Sequence, residues 1–232
     1  MANARVDRGA DSSSTAGIWE PTPEGGVLHR VERVAVVADL HLGYEWARGA
    51  AGDCVPPHSL AEAVARLEKL LERAPITTLI VAGDLVESHR PCRRTEADVR
   101  RLADWLEVRG VRLVLLRGNH DRARPEARES LVVDGWTIAH GDRPIVGDRT
   151  ISGHFHPVLR VEGISAPCFL IGPDRIILPA FSANAAGCDV RTAAIPRDWL
   201  QAGLRCLAST GDDLLDFGPL AGLRASRGGR SG

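Results

Sequence analysis

Residues 31–40, VERVAVVADL, form a short valine-rich run that ends in polar residues, the pattern of a buried strand feeding a loop. Residues 76–85, ITTLIVAGDL, and 111–121, VRLVLLRGNHD, repeat that design. Between the first two lies SLAEAVARLEKLLERA, where Ser59 and Glu62 have the spacing of a capping box and Leu60, Val64, Leu67 and Leu71 share one helical face. TEADVRRLADWLEVRG, between the second and third, reads the same way: Thr95 as cap, Val99, Leu102 and Leu106 as stripe, Gly110 as stop. The order is therefore β-α-β-α-β.

Crossover helices force such strands to run parallel, and ligands gather where their carboxyl ends open into loops. From residue 131 the pattern changes to short strand-like runs (GWTIAH, RTISGH, HPVLRVE, APCFLIG, DRIILPA, DVRTAAI, LRCLAS) separated by turn residues. These predict a second, largely antiparallel sheet packed on the first. Residues 1–17 are polar and aperiodic and 224–232 are rich in Gly, Ser and Arg, so a single domain over 18–223 with two disordered tails is expected.

Composition narrows the class. The chain has 232 residues, 44% of them hydrophobic, which is enough for one substantial core. A formal net charge of −1 argues against binding nucleic acid through bulk positive charge, while leaving a local basic patch open. The basic residues are almost all arginine, with Lys69 the only lysine. Five cysteines without a CxxC pair suggest neither a disulfide framework nor a zinc ribbon. With no apolar leader and no run approaching the roughly 20 apolar residues of a membrane span, a soluble cytoplasmic protein without membrane association is expected; the oligomeric state is not legible.

Five polar clusters follow the strands in order: ADLHLG (Asp39, His41), GDL (Asp84), GNHD (Asn119, His120, Asp121), HGD (His140) and GHFH (His154, His156). His29, His58 and His89 stand apart and read as ordinary residues. Alone, each cluster is a weak signal. Together on one sheet edge they have no core-packing explanation, because desolvating so many unpartnered polar groups costs several kcal/mol. A shared metal centre is the economical solution. Asp, His and a neutral Asn oxygen, without thiolate, suit divalent ions such as Mn²⁺, Fe²⁺, Zn²⁺ or Ni²⁺. Asp39, His41, Asp84, Asn119, His140, His154 and His156 are too many for one tetrahedral ion and appropriate for two sharing a carboxylate. Such a pair clamps a phosphate, lowers the pKa of a bridging water and stabilises in-line displacement. His120 is then left to protonate the leaving oxygen.

The series DxH, GD, GNH(D/E), HG, GHxH resembles the calcineurin-like dimetal metallophosphoesterase superfamily, with all five blocks in order over residues 39–156. The resemblance implies a four-layered α-β-β-α sandwich with two mixed sheets. It also implies that Asp39, His41 and His156 bind a first ion, that Asp84 bridges, and that Asn119, His140 and His154 bind a second, Mn²⁺ being favoured for both. His120 would be the general acid and Asp121 its orienter, although a turn-capping carboxylate fits the Asp121 loop equally well. For GHFH, a regular strand end would point His154 and His156 to one side, one toward each ion, with Gly153 allowing a tight turn.

The flanking ADLHLGYEWARGAAGDCVP and LPAFSANAAGCDV look like the small SbcD-related phosphoesterases of archaea and the bacterial DNA-ligase-associated metallophosphoesterases. The implied activity is phosphodiester hydrolysis of a phosphate ester, with DNA as one candidate substrate. Pyrophosphatase or monoesterase action on a nucleotide or nucleotide-sugar lipid is the alternative, and a non-catalytic metal-binding scaffold a third. Arg90, Arg93 and Arg94, with Arg117, Arg122 and Arg124, cluster near the expected site; Arg90, Arg93 and Arg122 are the candidate phosphate contacts, unless Glu87, Glu96 and Asp98 pair with them. Trp46 and Tyr44 could stack on a base or pack on the sheet.

Overall fold

The computed structural model describes residues 18–192 and 195–225. The expected tail 1–17 lies outside them; of the tail expected from 224, residues 224 and 225 close a helix and the rest lies outside.

The first sheet contains β1 (Glu20–Pro21), β2 (Val27–His29) and β3 (Val34–Val37), which run antiparallel in turn, and then β4 (Thr78–Ala82) and β5 (Arg112–Leu116), parallel to β3. Helices α1 (Tyr44–Ala50) and α2 (Ser59–Glu72) carry the chain from β3 to β4, and α3 (Arg93–Val108) from β4 to β5. The crossovers therefore bring the carboxyl ends of β3, β4 and β5 to one edge. Gly110, at φ 69°, ends the α3 connection as expected.

The second sheet is built from β6 (Leu131–Val133), β7 (Trp136–Ala139), β8 (Thr150–Ser152), β9 (Pro157–Val161), β10 (Ile164–Ile171), β11 (Arg175–Ile177), β12 (Cys188–Asp189), β13 (Arg205–Ser209) and β14 (Leu214–Pro219). Two short helices, α4 (Arg197–Gln201) before β13 and α5 (Leu220–Ala225) after β14, complete the described elements. The sheet is mixed: β8 runs parallel to both β7 and β11, and β12 parallel to β9, with the remaining pairs antiparallel.

Side-chain alternation makes the layers. Ala35, Val37, Leu79 and Val81 face Leu67, Leu70, Leu102 and Leu106 of α2 and α3. Val34, Val36, Ile80 and Ala82 face Ile138, Ile151, Phe169 and Ile171 of the second sheet. Cys168, Leu170 and Cys206 turn the other way, under Trp199 and Leu220 of α4 and α5. The result is the α-β-β-α sandwich, in which both sheets are covered on both faces and β3 and β4 of the first are buried along their whole length. Each fully buried Leu, Ile or Phe in these layers contributes ~1.5–3 kcal/mol of transfer free energy.

Four local expectations need correction. Ser59 is the first helical residue, not the cap; its Oγ instead accepts the Gly43 N–H at 3.1 Å, tying α2 to the loop after β3. Thr95 lies inside α3, which begins at Arg93 after an extended Cys92. The buried face of α2 is Ala63, Leu67 and Leu70, with Leu60, Val64 and Leu71 half-buried beside it, because the helix meets the sheet rotated from the face the leucines suggested. The run DVRTAAI contributes only its first residue to β12 before turning, and residues 193 and 194 lie outside the described residues.

Candidate metal centre

The clusters stand on loops whose backbone is held in an unusual conformation. Asp39 (φ 59°), His41 (50°), Asp84 (48°), His154 (68°) and His156 (45°) are left-handed, five of the eight non-glycine residues at positive φ among the described residues. Each costs about 1–3 kcal/mol and persists only where its surroundings over-determine it. Here the loops tie one another. Asp39 N–H donates to Gly83 O at 3.1 Å, His41 N–H to Asp84 O at 3.0 Å, and Gly153 N–H to His140 O at 3.0 Å. Carboxylates complete the ties: Asp84 Oδ1 accepts the His120 N–H and Asp39 Oδ2 the His154 N–H, both at 2.9 Å. Phe181 N–H donates to Ala38 O at 2.8 Å and Ser182 N–H to Asp39 O at 3.0 Å, so the LPAFSANAAG segment braces the first loop while Phe181 packs in the core.

GHFH is not a strand end. β8 stops at Ser152, and both histidines owe their direction to left-handed backbone rather than to strand pleating. Gly153 serves close approach: a Cβ there would lie 2.5 Å from Ala38 Cβ and from Asp39 Oδ2. Gly118 does the same for Asp84, whose Oδ1 would be 2.1 Å from such a Cβ.

The loops bring the sequence candidates into three overlapping groups with ligand atoms within 4.8 Å of one another: Asp39, His41 and His156; His41, Asp84 and His120; Asp84, His140 and His154. Asp84 belongs to the second and third, and His41 to the first and second, so the two outer groups are joined. Asn119 sits at the third, its Oδ1 3.0 Å from His140 Nε2. The first group contains four buried atoms without hydrogen-bond partners, Asp39 Oδ1, both ring nitrogens of His41 and His156 Nε2; His41 Nδ1 faces the Glu87 carboxylate, which leaves the other three to converge, with His156 Nε2 3.4 Å from Asp39 Oδ1. Burying such atoms unpaired costs ~1–3 kcal/mol each. Converging lone pairs of two imidazoles and a carboxylate fit a divalent cation, which would satisfy all three at once. The residue set for two ions is thus present.

Backbone and carboxylate oxygens orient the rings. His140 Nδ1 lies 3.1 Å from Ala82 O, which can only accept, so Nδ1 carries a proton and Nε2 faces Asp84 Oδ2 at 3.4 Å and His154 Nδ1 at 3.1 Å. Burial pulls the His140 pKa down, but the Asp84 hydrogen bond and the charges of Asp39 and Asp84 overcome it and push the pKa up to about 9. Asp84 responds in kind: burial raises its pKa, and the His140 hydrogen bond and charge and the His120 N–H lower it to about 2. Burial and the charge of His140 hold His154 below its ordinary value.

Glu87 escaped the sequence reading except as an arginine partner. Its Oε2 lies 3.0 Å from His41 Nδ1, leaving Nε2 for the cation, and its main-chain oxygen accepts the Nδ1 proton of His120. Asp121 is not bonded to the His120 ring. Its carboxylate accepts the N–H groups of Gly118 (3.1 Å), Leu85 (3.2 Å) and Val86 (3.4 Å), which caps and joins two loops; the orienting role expected of it falls to the Glu87 carbonyl. Burial raises the Asp121 pKa.

The arginine cluster divides. Arg124 pairs with Glu96 at 2.8 Å, Arg117 hydrogen-bonds Glu129, and Arg94 covers the Trp46 ring at 4.8 Å. Trp46 Nε1 also donates to Asp98 at 2.8 Å, so this indole is packed rather than offered to a base. With Glu87, Glu96 and Asp98 engaged elsewhere, Arg90, Arg93 and Arg122 remain exposed around the loops.

Residues 32–165 match the model of the calcineurin-like phosphoesterase family. Among solved structures, the nuclease MPE of Pseudomonas putida is similar, at 24% identity and a TM-score of 0.64 over 85% of this chain and 100% of that chain. Vps29 of Chaetomium thermophilum gives 14% identity and a TM-score of 0.35 over 75% of this chain and 80% of that one. No curated protein matches this chain in sequence. Among the described residues no helix is long and apolar enough to cross a membrane.

Proposed function

The chain belongs to the calcineurin-like phosphoesterase family, and from that premise we propose that it hydrolyses phosphodiester bonds, with single-stranded DNA as substrate. The observation that carries this reading is the pair of ligand groups joined through Asp84 and His41, with orphaned lone pairs converging in the first. Asp39, His41 and His156 would hold one ion, Asn119, His140 and His154 the other, and Asp84 both. Mn²⁺ is the first choice, with Fe²⁺, Zn²⁺ and Ni²⁺ as alternatives. When bound, such a pair supplies charge neutralisation at the phosphate and an activated water.

The chain's own residues supply the rest. The Glu87 carbonyl fixes the His120 ring through Nδ1–H, so only Nε2 is free to act. In its doubly protonated form Nε2–H donates to the departing ester oxygen, and the ring is left neutral with its remaining proton on Nδ1. The Asp84 carboxylate holds the His120 main chain in place, which couples the acid's position to the residue that would serve both ions. Arg90, Arg93 and Arg122 would meet phosphates flanking the reacting one. DNA as substrate draws support from the P. putida protein of the same fold, which is named a nuclease.

The test is a panel of bis-p-nitrophenyl phosphate, p-nitrophenyl phosphate, a nucleoside diphosphate and single-stranded DNA, run on Mn²⁺-reconstituted protein. Turnover of the diester and of DNA is expected. Faster release of phosphate from the monoester or the pyrophosphate would overturn the proposal.

A further inference from the structure

A groove of about 810 Å³ adjoins the metal centre and shares His156 with it. Ser182, whose main chain braces Asp39, lines it as well. Pro157, Val158, Pro167 and Ala180 give it a smooth apolar wall, and α2 contributes two cations, Arg66 and Lys69. Arg66 is fixed: its guanidinium donates to the carbonyl oxygens of Phe181 and Glu24 and lies 4.4 Å from the Phe181 ring centroid. The acid in the lining, Glu24, is held by two nitrogens of an Arg73 fork at 2.7 and 2.8 Å, and its charge, with that of Glu62, acts on Arg66 rather than on Lys69. Lys69 has no ion-pair partner among the described residues, its neighbour Glu68 being paired with Arg109 at 3.5 Å.

We propose that this groove holds the nucleoside next to the scissile phosphate, and that Lys69 contacts the following phosphate along the strand. The inference rests on the phosphodiesterase reading and extends it to the path of the substrate. Continuity with His156 places the groove where one flank of a bound diester must lie. Its volume falls within the roughly 300–1,000 Å³ of ligand sites. Apart from the His156 imidazole, which the metal centre claims, its lining contains no aromatic ring for base stacking, so recognition falls to the backbone: a flexible ammonium as a point charge and an apolar surface for sugar and base. Binding by this path is tolerant of sequence and sensitive to strand length and salt.

Because Lys69 is the only lysine, amine chemistry reports on a single side chain. Acetylation of the Mn²⁺-loaded His120→Ala protein, mapped by peptide mass, should be slowed about fivefold at Lys69 by saturating oligothymidylate. In anisotropy titrations of labelled oligothymidylate, Lys69→Ala should weaken binding about three- to fivefold and reduce the slope of log K against log salt by about 0.7, the share of one single-strand phosphate. Lys69→Arg should keep the parent slope, and the parent protein, with His120 intact, should hydrolyse both bis-p-nitrophenyl phosphate and single-stranded DNA. An unprotected Lys69 with an unchanged salt slope, in a protein that cleaves DNA, would overturn the groove and leave the phosphodiesterase reading standing. Protection of Lys69 in a protein that hydrolyses neither substrate would do the reverse.

Discussion

Glu87 Oε2 lies 3.0 Å from His41 Nδ1. A carboxylate in that position fixes the ring's tautomer and strengthens Nε2 as a donor to a cation, and loss of such a partner typically costs 10–100-fold in metal affinity or activity. Glu87→Gln should therefore weaken Mn²⁺ binding about 10–100-fold, read by titration of activity against Mn²⁺. Because His120 is held by the Glu87 main chain, saturating Mn²⁺ should restore turnover. Failure of restoration would mean that the side chain acts on the chemistry directly.

His120 has its Nδ1 committed to a carbonyl and its main chain committed to Asp84. His120→Ala should retain its metal and lose roughly 10²–10⁴-fold in kcat, as expected for a missing general acid. Metal analysis beside single-turnover kinetics checks both halves; full activity would remove His120 from the mechanism.

The metal-free protein should show a defined pH response. His140, raised from 6.5 to about 9, contributes stability that is complete below its unfolded value and is lost as pH rises through 9. Asp84, lowered from 3.8 to about 2, contributes stability present above 3.8 and lost as pH falls toward 2. Denaturant midpoints of metal-free protein should be highest between these limits and decline from pH 6.5 to 9. Since a cation must displace the His140 Nε2 proton, metal uptake at neutral pH should release protons, detectable as a buffer-dependent binding enthalpy.

Close approach at Gly118 leaves no room for a side chain, a Cβ falling 2.1 Å from Asp84 Oδ1. Gly118→Ala should cost ~1–3 kcal/mol of stability and displace the shared carboxylate. Thermal unfolding together with metal content checks this; a variant with parental metal content and stability would contradict the packing described.

The β-α-β-α-β core and the residues that the loops bring together were legible because both are written in local pattern: apolar runs ending in polar clusters, and rare histidines in short motifs. What was not legible depends on contacts distant in sequence. Glu87 reads as one acid among several until His41 and His120 are folded against it. Ser59 has the spacing of a cap, yet its hydroxyl is claimed by Gly43 sixteen residues away. The direction of His154 and His156 follows from positive φ angles that interloop hydrogen bonds impose, which no strand periodicity could reveal. The second sheet is less antiparallel than its short runs suggested, because β8 inserts parallel between β7 and β11.

The central claim is that two ions share Asp84. Metal content per chain, measured on Mn²⁺-reconstituted parent and Asp84→Asn proteins after removal of free metal, tests it most directly. Two ions are expected in the parent and loss of both in the variant, with diester hydrolysis lost in parallel. A parent that holds a single ion, or an Asp84→Asn protein that keeps two, would contradict it.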